Sequence, residues 1–93
     1  MKLLVRVDRR GDVRSFRDAT EGRRIDEIRL HNPYEAPWIR DALVQYEHPR
    51  EATFFVVEAP SEESVREDVH LTSRNLHDPD DAPGFVVLAT AAN

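Results

Sequence analysis

The apolar residues of this 93-residue chain fall into short blocks between charged stretches, and the spacing inside each block predicts its element. Over residues 2–8, KLLVRVD, the residues Leu3, Val5 and Val7 alternate with Leu4, Arg6 and Asp8, the period-two pattern of a strand. Arg9-Arg10-Gly11-Asp12 follows as a polar turn with Gly11 where positive φ is expected, and Val13 to Phe16 returns as a short second strand. The expected result is an N-terminal hairpin. Val13 and Phe16 are out of phase for strict alternation, which predicts a bulge or an early strand end. Residues 17–24, RDATEGRR, hold no apolar side chain longer than Ala and read as a loop.

Residues 25–31, IDEIRLH, fit two patterns, since Ile25 and Ile28 have helical spacing while Ile28 and Leu30 alternate. Seven residues are short for a helix, which favours a strand ended by Asn32-Pro33. Pro37 then stands at a first-turn position, and Trp38, Ile39, Ala42, Leu43 and Tyr46 form one apolar face of an amphipathic helix stopping at His48-Pro49. On that face Trp38 and Tyr46 read as packing residues. Thr53 to Glu58, TFFVVE, is a continuous apolar run, the mark of a central strand covered on both faces. Ser61 is a strong N-cap with Glu62 and Glu63 in the following turn, and Val65, Val69, Thr72 and Leu76 draw one helical stripe. The stretch HDPDDAP at 77–83 ends it, and Phe85 to Ala89, FVVLA, is a last buried strand.

Together these elements predict one α+β (or small α/β) domain over residues 1–93. It would hold a mixed sheet of four to five strands, with the N-terminal hairpin and two helices packed on it in the order ββ(β)αβαβ. Crossover helices would make the last two strands parallel. If residues 25–31 are instead helical or irregular, the pattern approaches the split βαβ sandwich of ferredoxin-like domains. The stretch FFVVEAPSEESVRE at 54–67 resembles a strand end and acidic helix start found in many such domains, but it is generic capping chemistry.

Composition narrows the functional classes. The chain has no cysteine, so disulfides and Cys-ligated zinc are excluded. No apolar run approaches the ~20 residues of a membrane span, nor the apolar core of a signal peptide, so the expected location is cytoplasmic or within a soluble assembly such as a virion. The net charge is −5, unevenly spread. Residues 1–30 carry nine cations against six acids, whereas residues 31–93 carry four against twelve. A net-acidic chain repels nucleic acid and anionic membrane, so only the N-terminal third offers a cationic patch. Its candidate partner-binding residues are Arg6, Arg9, Arg10, Arg14, Arg17, Arg23 and Arg24. Asp8, Asp12, Asp18 and Glu21 are interspersed and no aromatics interleave for base stacking, which favours a protein partner over nucleic acid.

The four histidines are His31, His48, His70 and His77. His70 and His77 share a helix face but stand about 10.5 Å apart along the axis, too far to chelate one ion. No metal and no cofactor is expected. Acid–base chemistry has candidates in Glu58, His31 and the group Asp78, Asp80 and Asp81, yet no nucleophile with a nearby base accompanies them, so no catalytic residue is assigned. The leading expectation is a small non-enzymatic interaction protein, an accessory, regulatory or assembly subunit that binds a protein partner or copies of itself. The alternative is a small homodimeric ferredoxin-like ligand-binding or enzymatic domain.

Overall fold

The computed structural model describes residues 1–29, 36–75 and 83–92, with backbone alone at 72–75. In chain order the elements are β1 (Lys2–Val7), α1 (Arg10–Ala19), β2 (Ile25–Ile28), α2 (Pro37–Gln45), β3 (Thr53–Glu58), α3 (Glu62–Asn75) and β4 (Val86–Ala91). The four strands form one sheet in the order β2-β3-β1-β4, and every neighbouring pair is antiparallel. Each crossover, β1-α1-β2 and β3-α3-β4, therefore joins two strands of like direction with a third inserted between them. That is the split βαβ arrangement of ferredoxin-like sandwiches, with α2 added between β2 and β3.

β1 is the central organiser of the sheet. Leu3, Val5 and Val7 point to one face, where they pack with Phe16 and Ala19 of α1, Phe55 and Val57 of β3, and Val65 and Val69 of α3. Leu4 points to the other face and packs with Phe54 of β3 and with Ile39 and Ala42 of α2. The uninterrupted apolar run of β3 follows from this double cover: Phe54 and Phe55 are both buried, on opposite sides of the sheet. Burying side chains of this size contributes about 1.5–3 kcal/mol each. At the start of α3 the Ser61 hydroxyl accepts the Ser64 N–H at 3.2 Å, the capping bond expected from the sequence.

The structure corrects several expectations. Val13 to Phe16 is no strand and there is no hairpin, because residues 10–19 are helical. The spacing that read as a bulge is helical i,i+3: Val13, Phe16 and Ala19 lie on the face toward the sheet, and the charged residues between them face water. The expected loop 17–24 accordingly begins inside α1, and the left-handed glycine is Gly22 (φ 94°) rather than Gly11. The sheet is antiparallel rather than mixed, and three helices rather than two occur among the described residues. β3 and β4 run in the same direction but are not hydrogen-bonded neighbours, since β1 lies between them. Residues 25–28 are a strand, as favoured, and the remainder of that expected element is Arg29, outside it, and residues 30–31, which lie outside the described residues. α2 ends at Gln45, so Tyr46 leaves the helix in extended conformation and is 52% exposed instead of packed. Trp38 is half-buried against the Phe54 side of the core, as expected.

Candidate functional site

The seven arginines singled out in the sequence do not form one patch. α1 turns its buried Phe16 and Ala19 to the sheet, which leaves Arg10, Arg14 and Arg17, at i, i+4 and i+7, in a row on the solvent face. Arg9, also exposed, precedes this row as the extended N-cap residue and makes no side-chain cap bond. Arg17 bonds Glu27 of β2 at 2.6 Å in an open, half-exposed pair and lies over the Phe55 ring. Arg23 is held elsewhere, 2.5 Å from Asp68 of α3 and largely covered. Arg24 lies 3.9 Å from Asp26 and is open to solvent. Arg6 points to the opposite face of the sheet. Alternation along β1 forces that separation, since Arg6 shares its side with Leu4.

The cations at the start of α1 oppose local helix energetics. A helix N-terminus carries about half a positive charge, so anions are favoured there and cations disfavoured by tenths of a kcal/mol. α1 nevertheless begins with Arg9 at the cap and Arg10 at its first position, against the single first-turn acid Asp12. Asp12 also accepts the Gly84 N–H at 3.3 Å, which ties the helix start to the approach of β4.

A second constellation lies beneath α2 and was not visible in the sequence. Arg6, whose side chain is only 16% exposed, bonds Asp8 through Nε at 2.6 Å, and its Nη1 lies 3.5 Å from His48 Nδ1. His48 Nε2 lies 2.8 Å from the Leu43 carbonyl, which can only accept. The ring proton therefore sits on Nε2, and Nδ1 offers its lone pair to the guanidinium. The ring also stands edge-on to Phe54, with centroids 4.9 Å apart. This chain of contacts secures the segment after α2 against the sheet. Its only sequence signal was a histidine just past a helix end, where imidazoles bond the last carbonyls.

A shallow groove of about 350 Å³ separates α3 from the entry to β4 and is lined by Arg66, Val69, His70, Pro83, Gly84 and Phe85. Arg66 bonds Glu62 one turn earlier at 2.7 Å and lies 4.9 Å from the centre of the Phe85 ring. His70 is exposed on α3. His31, His77, Asp78, Asp80 and Asp81 lie outside the described residues, and Glu58 stands at the end of β3 opposite Lys2 of β1. Among the described residues, no three His, Asp or Glu side chains converge as a metal site, and no helix is long and apolar enough to cross a membrane. No protein-family model, no curated protein and no solved structure matches the chain.

Proposed function

We propose that this chain is a small interaction subunit that docks the arginine row of α1, Arg9, Arg10, Arg14 and Arg17, onto an acidic surface of a partner protein. The observation that carries this reading is the placement of two cations at the positive end of a helix. There they lower helix stability, and a capping Ser or Asp would raise it. Local rules broken without a compensating contact are expected at functional sites. The exposed positions of α1 include no aromatic side chain and do include Asp18, which supports a protein partner over nucleic acid. Arg23, held by Asp68, and Arg6, on the far face, belong to the fold rather than to this surface.

The test is a charge-reversed variant, Arg10→Glu with Arg14→Glu, compared with wild type in recovery of co-purifying proteins from the native source at low and high salt. Both positions are exposed, so the variant should keep its helical circular dichroism and remain folded. A partner held by wild type at low salt, released at high salt and lost with the variant is the expected outcome. Retention of the same partner by the variant would refute the arginine row. A second reading, a ligand-binding domain, draws on the groove at Arg66, His70 and Phe85. Chemical-shift changes confined to those residues on adding small carboxylates would favour it.

A further inference from the structure

Among the described residues the sheet ends at β2 on one side and at β4 on the other, and these two edges are built differently. β2 is four residues long and carries the exposed carboxylates Asp26 and Glu27, with Arg24 and Arg29 at its ends. Charged side chains on a short edge strand discourage pairing with another chain. β4 is six residues, VVLATA, with neither charge nor proline, and Val86 is 41% exposed. Uncharged edges of this kind accept a further strand.

The side-chain pattern of β4 identifies which strand it accepts. The register of β4 on β1 shifts between Leu4 and Val5: Leu4 faces Ala89, Val5 faces Val87, and Leu88 is the extra residue of a β-bulge. Leu88 and Ala89 consequently both pack on the α2 side of the sheet. Val87 packs on the α1–α3 side. Val86 and Ala91, opposite Arg6 and Lys2, belong to the α2 side, and Thr90, opposite Leu3, to the α1–α3 side. From Val86 to Ala91 the faces therefore read α2, α1–α3, α2, α2, α1–α3, α2. This order is the same in both directions. Two such strands placed antiparallel about a two-fold axis match face for face when Val86 meets Ala91, Val87 meets Thr90 and Leu88 meets Ala89. Sliding the register by one or two residues sets at least one pair on opposite faces, which a pleated sheet does not allow.

We propose that β4 is a homodimerisation edge, pairing with β4 of a second copy in this register to form one continuous eight-stranded sheet with isologous symmetry. Because β4 carries no charge, two copies meet there without like-charge repulsion. The proposal rests on β4 alone and is independent of the arginine row of α1.

Because the chain lacks cysteine, introduced thiols report the register directly. Val86→Cys protein mixed with Ala91→Cys protein under mild oxidation should give a disulfide-linked heterodimer. Val86→Cys mixed with Thr90→Cys, whose side chains lie on opposite faces, should not. Sedimentation of the wild type should show dimer growing with protein concentration. The double variant Val86→Lys, Thr90→Lys, at two exposed positions, should remain folded and monomeric. A wild type monomeric at every concentration, equal cross-linking in both mixtures, or a dimer that survives the lysines would overturn the proposal. So would β4 amides protected from exchange only when a different protein is added, which would assign the edge to that partner. Failure of these tests leaves the α1 reading standing, and loss of partner binding in the α1 variant leaves this one standing.

Discussion

Truncating the paired phenylalanines of β3 tests the double cover of the sheet. Phe55 is buried on the α1–α3 side, stacked on Phe16 with ring centroids 5.5 Å apart and capped by the Arg17 guanidinium at 5.4 Å. Phe54 is 2% exposed on the other side, against Ile39 and Ala42 of α2 and the edge of His48. Phe-to-Ala substitution in a core costs about 3–5 kcal/mol, from lost transfer energy plus the cavity left behind. Phe55 additionally loses an aromatic stack of about 0.5–1.5 kcal/mol, so Phe55→Ala should be the more damaging of the two. Against a total of about 5–15 kcal/mol, either change removes a large share of stability. At about 4–8 °C per kcal/mol, melting should fall by at least about 12 °C, with the larger fall for Phe55→Ala. The gentler Phe54→Leu and Phe55→Leu should each cost about 1–2 kcal/mol and keep both sites measurable by urea titration followed by circular dichroism. A Phe54→Ala cost below about 1 kcal/mol would refute the argument. That outcome would mean α2 does not cover the sheet, and that the face carrying Leu4 and Phe54 is open.

Two further substitutions probe local backbone and capping chemistry. Gly22 has φ 94° with open space around it, so Gly22→Ala should cost about 1 kcal/mol through backbone strain alone; Gly11, helical and equally uncrowded, should tolerate Ala with a gain of up to about 1 kcal/mol. Thermal melts of opposite sign would bear this out, and melts of the same sign would not. Thr20, fully buried, donates its hydroxyl to the Phe16 carbonyl at 2.8 Å, so Thr20→Val should lose about 1 kcal/mol in chemical denaturation despite its matched shape; an unchanged midpoint would show that bond to be dispensable.

Where the chain carries a strong apolar period, its sequence alone determined the element. Alternation in KLLVRVD, the unbroken TFFVVE run, the stripe from Trp38 to Leu43 and the Ser61 cap each specified local structure, because each pattern matches one backbone period and few competing ones. α1 escaped this reading: it presents only Val13, Phe16 and Ala19 to the core among seven polar or glycine residues, and so short a segment fits two periods until a sheet is there to receive it. The order of the strands belonged to tertiary structure for a similar reason. Crossover helices set the relative direction of β3 and β4, but the insertion of β1 between them depends on its apolar residues on both faces, Leu4 as well as Leu3, Val5 and Val7, which suit it to the middle of the sheet. The arginines were visible as a cluster in sequence and were sorted only by folding. Strand alternation sends Arg6 beneath α2, the turn after α1 delivers Arg23 to Asp68, and helical periodicity leaves Arg10 and Arg14 in water with Arg17 beside them in its half-exposed pair with Glu27. The symmetry of β4 arises from a bulge against β1, a feature of the pairing of two distant strands that VVLATA by itself does not contain.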